Sequence, residues 1–234
     1  MSATLTIIPA KLGSTRLPEK NIRLLGNRPL LGWSVRAALE SGVCGDVVVS
    51  TESGRVKEVA EQEGALVPFF RPEHLARDPY GVADVCLFML EEFERRGKTY
   101  DKLIILLPTA PFRSGEDIVE ANRIFDANRG KFLMSVNESE HLPYSMLKID
   151  ENHPETVIPC FPEYVGAKRH EVPKAYRPNG AIHILDVPAF VESRTYFGTP
   201  LLHYIMPSER CVDIDSIEDF EYAQYLIEKG KFDE

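Results

Sequence analysis

The chain has 234 residues, 27 Lys+Arg against 36 Asp+Glu and a formal charge of −9, with 44% apolar and 27% charged residues, a globular composition sufficient for one large domain with at most a modest appendage. The acidic balance argues against general nucleic-acid binding, which needs basic surface, and the longest uncharged apolar run, Leu103 to Phe112, holds two prolines and falls short of the ~20 residues that span a bilayer. No basic region precedes the first apolar segment and the four cysteines form no CxxC pair, so a cytoplasmic protein with reduced thiols is expected.

In chain order, Thr4 to Ile8 reads as a strand, Leu30 to Ser41 as a helix and Asp46 to Ser50 as a second strand. Val56 to Glu63 and Ala83 to Arg95 carry the 3.6-residue apolar period of helices. Lys102 to Leu107 is a continuous apolar run, the signature of a central strand covered on both faces, and Gly115 to Asn128 is a further helix. This alternation predicts an α/β fold, a doubly wound and mostly parallel Rossmann-like sheet. The rhythm breaks at 137–178, which holds six prolines and no long helical period. The segment is too long for an idle loop and reads as an inserted arm between 1–136 and 179–234. Regular structure returns with Gly180 to Asp186 as a strand and Ile217 to Lys229 as the last helix.

Three segments are candidates for chemistry. After the first strand, residues 8–21 (IPAKLGSTRLPEKN) combine small Gly13, Ser14 and Thr15 with Lys11, Arg16 and Lys20. Small residues let backbone amides close around phosphate oxygens, and a loop at the carboxyl end of a parallel strand is where ligands of such sheets sit. The segment is neither a P-loop nor a dinucleotide fingerprint, and a solvated polar loop is the alternative. Asp213 and Asp215 stand at i and i+2, so an extended backbone projects both to one face, as two oxygen ligands for one hard cation. The alternative there is a purely structural helix entrance, with Ser216 as N-cap and Asp219 three residues on. Residues 169–180 supply Arg169, Lys174 and Arg177 just before a strand, as anion contacts or as solvated arm. The six histidines lack metal-ligand spacing, and no nucleophile elbow is present.

In collinear order, IPAKLGSTRLPEKN (8–21), VVVSTES (47–53), RPEHLARD (71–78), LLPTAPFR (106–113), YRPNGAIHI (176–184) and DIDSIEDFEYAQ (213–224) resemble the acylneuraminate cytidylyltransferases. These are the CMP-sialic acid synthetases and their CMP-legionaminate-type relatives. The resemblance covers essentially the whole chain. It implies a nucleotidyltransferase sheet with a protruding dimerisation arm at 137–178 that completes the neighbouring subunit's site. The implied reaction joins CTP to a nine-carbon 2-keto-3-deoxy sugar acid with Mg²⁺, releasing pyrophosphate. By the same resemblance Ala10, Lys11, Gly13, Ser14, Lys20, Asn21 and Arg71 bind the nucleotide, and Leu107, Thr109, Arg169 and Asn179 meet the sugar. Asp213 and Asp215 hold the metal, and Lys20, Asp213, Asp215 and Arg177 are the catalytic set. Lys11 stands where relatives carry Arg, and Leu107 where they carry a sugar-facing Gln, which points to a different sugar substituent. Two alternatives stay open: a nucleotidyltransferase for another sugar, such as an eight-carbon 3-deoxy acid, and a non-catalytic nucleotide-binding homologue.

Overall fold

The computed structural model describes residues 3–232, so residues 1, 2, 233 and 234 of the expected domain bounds lie outside it. The first half runs β1 (Thr4–Pro9), β2 (Leu24–Leu25), β3 (Arg28–Pro29), α1 (Leu30–Ser41), β4 (Asp46–Ser50), α2 (Gly54–Gln62), α3 (Val82–Arg95), β5 (Lys102–Ile105) and α4 (Gly115–Ala127). The second runs β6 (Phe132–Glu138), β7 (Leu147–Ile149), β8 (Val157–Pro159), β9 (Tyr176–Asp186), α5 (Val187–Ser193), β10 (Leu201–Ile205) and α6 (Ile217–Glu228).

Six strands form the main sheet in the order β10-β6-β9-β5-β1-β4. β1 pairs parallel with β4 and β5, and β10 pairs parallel with β6. β9 alone runs antiparallel, between β5 and β6. Alternation along each strand sorts the core into two layers. Ile8, Val47, Val49, Ile104 and Ile184 face α1, α2 and α4, packing on Leu31, Val35, Val56, Ala60, Ile118 and Phe125. Leu5, Ile7, Val48, Leu103, Ile105 and Leu185 face α3 and α5, packing on Val85, Met89, Phe93 and Phe190. Helices on both faces make the sheet doubly wound. A third cluster of Leu17, Leu25, Trp33, Phe112 and Phe220 fastens α6 and the β2–β3 hairpin beside α1.

The structure corrects several expectations. The central strand stops at Ile105 rather than Leu107, because the chain turns there into the cleft wall at Leu107, Pro108 and Thr109. β9 begins at Tyr176, not Gly180. Its antiparallel register with β6 shifts between Met134 and Val136, and Gly180 there has φ 69°. A left-handed glycine in a bulge of this kind lets Pro178 sit in a strand that its missing N–H would otherwise interrupt. With β6 reaching Glu138, residues 137–138 and 176–178 belong to the main sheet. The chain outside it is 139–175, which carries the separate β7–β8 hairpin. Both α5 and β10 fall in a stretch for which the sequence reading gave no element.

Candidate active site

A cleft of about 360 Å³ opens beyond the carboxyl ends of β1 and β5, where ligands of open α/β sheets bind. Lys20 is among its most constrained charged groups. The ammonium lies almost out of solvent and donates to the Ile214 carbonyl at 2.8 Å and to Asp215 Oδ1 at 3.0 Å. Arg16 Nη2 reaches Asp215 Oδ2 at 2.9 Å from the more exposed side. Burial raises the Asp215 carboxyl, but Lys20 and Arg16 outweigh it and hold the group below the usual carboxylate range. Asp213 goes the other way. Although its side chain reaches solvent, the surrounding protein desolvates it, and the charge of Asp215 adds to that; both outweigh a hydrogen bond with Thr109 and raise its carboxyl. The acidic segment is stitched to the opposite wall, with the Ile214 N–H donating to the Thr109 carbonyl at 2.8 Å. Ser216 caps α6: its Oγ accepts the Asp219 N–H at 3.2 Å, while Asp219 Oδ2 accepts the amides of Asp215 and Ser216 at 3.0 and 2.8 Å.

The loop after β1 is held just as closely. Asn21 Nδ2 donates to the Lys11 carbonyl at 2.7 Å, and Lys11 Nζ reaches the Ala76 carbonyl at 3.3 Å across the cleft. Arg71 is buried at the far wall, its guanidinium paired with Glu52. Lys11, Arg16, Lys20 and Arg71 thus line one cleft of an otherwise acidic chain.

The model of the cytidylyltransferase family matches residues 5–126. CMP-N,N'-diacetyllegionaminic acid synthase of Legionella pneumophila is 34% identical over 96% of each chain. Pseudaminic acid cytidylyltransferase of Campylobacter jejuni is 31% identical over 95% of each. The chain belongs to the cytidylyltransferase family. N-acylneuraminate cytidylyltransferase of Escherichia coli O18:K1:H7 is also 31% identical, over 96% of this chain and 52% of that longer one. Among solved structures, a CMP:2-keto-3-deoxy-manno-octonic acid synthetase complexed with CTP superposes with a TM-score of 0.71 at 14% identity. It covers 98% of this chain and all of that one, and the likeness is one of fold.

Of the residues expected to serve a cytidylyltransferase, the cleft brings together Lys11, Ser14, Lys20, Asn21, Arg71, Leu107, Thr109 and Asp215. Others lie elsewhere. Ala10 is buried, its N–H continuing the ladder to the Ser50 carbonyl at 2.9 Å. Gly13 has open space where a Cβ would stand, so local packing does not demand a glycine. Asp213 does not share the cleft-lining position of Asp215: its side chain is exposed and lies outside the residues that line the cleft. Asn179 is turned into the sheet, where Oδ1 accepts from Ser135 Oγ at 2.6 Å and Nδ2 donates to Cys211 Sγ at 3.2 Å. Arg177 is exposed on β9 opposite Asn137, and Arg169 lines a separate hollow within the arm.

Sequence reasoning did not single out Arg113. It is buried, and donates to the carbonyls of Leu107 and Ala181 and to Ser34 Oγ, the latter two at 2.7 Å. It thereby clamps the 106–113 loop to β9 and α1. Burial pushes its guanidinium down to about 9, still charged at neutral pH. The one signal was a cation closing the apolar run LPTAPF. Glu52 was missed too, its partners being 19 and 40 residues away. As for a metal, Asp213 and Asp215 offer the carboxylate oxygens a hard cation takes. Their mutual repulsion, part of what raises Asp213, is what a dication relieves. The described residues contain no cluster of three or more His, Cys, Asp or Glu suited to an ion. Asp215 already accepts from Lys20 on Oδ1 and from Arg16 on Oδ2, so an ion held by the two aspartates would displace those contacts and complete its shell with substrate oxygens and water.

Proposed function

We propose that this cytidylyltransferase joins CTP to a nine-carbon 2-keto-3-deoxy sugar acid, giving a CMP-sugar and pyrophosphate. The observation that carries the reading is the enclosed Lys20, fixed against Asp215 at the mouth of a cation-lined cleft. In this reading Lys11, Arg16 and Lys20 take the triphosphate and Arg71 lies toward the cytidine. The anomeric hydroxyl attacks the α-phosphorus, its proton leaving to water as the bond to the β-phosphate breaks. Such transfers depend on positioning and charge neutralisation. Lys20, already desolvated, needs little reorganisation to stabilise charge that grows in the transition state. Asp213 and Asp215 hold Mg²⁺, which when bound draws charge from the α-phosphate. Leu107 presents an apolar side chain to the cleft, favouring an acid less hydroxylated at that contact. This agrees with the legionaminic and pseudaminic names of the two relatives matched along their full length.

We further propose a cytoplasmic homodimer in which the arm, with Arg169, completes the partner's sugar site. The free cysteines suit a reducing compartment. The test is pyrophosphate release from CTP and Mg²⁺ across legionaminate, pseudaminate, N-acetylneuraminate, its deaminated form and the eight-carbon acid, with other nucleotides as controls. Turnover of a nine-carbon acid, dependent on CTP and metal, is expected. Turnover of the eight-carbon acid alone, or CTP binding without turnover of any acid, overturns it.

A further inference from the structure

Glu52 follows β4 by two residues and does not line the cleft, yet its carboxylate joins two pieces of the cleft wall. Oε1 accepts the Leu12 N–H at 2.8 Å, and Oε2 accepts Arg71 Nη2 at 2.8 Å and Nε at 3.1 Å. Both side chains are enclosed, Glu52 14% and Arg71 3% exposed. The Arg71 backbone is tied to the same turn, its N–H donating to the Thr51 carbonyl at 3.0 Å. Leu12 sits between Lys11 and Gly13, in the loop whose Lys11 and Ser14 side chains face the cleft. One carboxylate therefore sets the spacing between the first loop and Arg71.

The charge pattern gives that spacing a purpose. Arg71 is neutralised by Glu52, so it contributes directed donors rather than net charge. Of the first-loop cations, Lys20 and Arg16 gather at Asp215 and Lys11 reaches the Ala76 carbonyl, all lining the same cleft. A nucleotide offers partners for both, a neutral base whose acceptors suit directed donors and a triphosphate that suits cations. Charge-assisted hydrogen bonds in an enclosed place are the strong ones, and removing one partner leaves the other buried and unpaired.

We infer that Glu52 is the positioning residue of the nucleotide site, holding the first-loop backbone and the Arg71 guanidinium at the separation that fits a nucleoside triphosphate. The inference rests on the reading that this cleft takes CTP. Glu52→Gln keeps the size of the side chain but gives up one acceptor, setting an amide N–H against a donor. Glu52→Asp keeps the charge on a shorter stem.

The experiment is calorimetric CTP binding by the purified full chain with Mg²⁺ and no acid, alongside KM for each substrate, CTP-over-UTP preference and melting temperature. Glu52→Gln is expected to weaken CTP binding and raise its KM at least tenfold, to lower the preference for CTP, and to leave the KM of the sugar acid unchanged. Glu52→Asp is expected to recover part of the loss. The inference is overturned if both folded variants bind CTP as the wild type does, if KM rises equally for both substrates, or if neither variant folds, since Glu52 is then only a folding element. If the wild type itself binds no CTP, the reading of the cleft fails as well, a result separable from failure at Glu52 alone.

Discussion

Lys20 shows how one residue sets the character of the cleft. A lysine this enclosed is costly to leave unpaired, and the Ile214 carbonyl and Asp215 carboxylate offset that cost. The cation is consequently fixed before substrate arrives. Removing it leaves Asp215 with the partly exposed Arg16 alone. Lys20→Met is therefore expected to lower kcat by roughly 10²–10³, with near-native circular dichroism. Activity within threefold of wild type would falsify the catalytic assignment. Lys20 was recognisable from sequence because its neighbours Lys11, Ser14 and Asn21 are contiguous with it. Arg113 was not, because its acceptors include a carbonyl 68 residues away that no local pattern reveals. Asn179 was misplaced for a related reason: a motif names the residue but not which side of a bulged strand it faces.

At the scale of elements, the acidic segment depends on a network it does not itself contain. Asp117 in the first turn of α4 is 1% exposed and accepts Arg210 Nη2 and Tyr204 OH, both at 2.6 Å, and Arg210 Nε at 3.1 Å. It thus joins α4, β10 and the turn leading into 211–216. Burial raises its carboxyl, but Arg210, the Ser114 amide and Tyr204 outweigh that and hold it below the ordinary range. A carboxyl depressed in the folded state contributes stability that is present above its unfolded value, about 3.9, and is lost as pH falls through the folded value. Asp117→Asn is expected to cost about 3 kcal/mol at neutral pH, a melting drop of roughly 6–12 °C, and to flatten the loss of stability below about pH 4. An unchanged acid limb in thermal melts run from pH 7 to pH 3 would remove Asp117 from that role. The five longer helices, α1 to α4 and α6, were readable from sequence to within a few residues, because burial on one side imposes the 3.6 period, whereas the seven-residue α5 was not. Neither was β10, because as an edge strand it exposes the apolar Leu201 and Ile205 alongside His203, so the run shows none of the apolar–polar alternation that marks a half-buried strand.

At the scale of the molecule, the arm is the part that the chain alone leaves unfinished. An isolated two-stranded hairpin is marginal in water. The register of β7 with β8 pairs Leu147 with Pro159 and Ile149 with Val157, placing all four on one face. Leu147, Ile149 and Val157 are nevertheless 59%, 64% and 57% exposed. Three neighbouring aliphatic side chains in water are a surface awaiting cover, and Leu147 and Pro159 continue into the hollow that Arg169 lines. In the proposed homodimer a partner copy would bury this face and bring Arg169 toward a second cleft. Ile149→Glu is therefore expected to convert a dimer to a monomer in sedimentation velocity at micromolar concentration. The main sheet, whose core the hairpin does not enter, is expected to keep its melting transition. If Arg169 serves the partner's cleft, the same variant loses sugar-acid turnover while CTP binding persists, because Lys11, Lys20 and Arg71 all belong to the chain's own fold. A monomer with full turnover separates the two roles and returns the sugar site to a single chain. A dimer undisturbed by the charge places the interface elsewhere on the molecule.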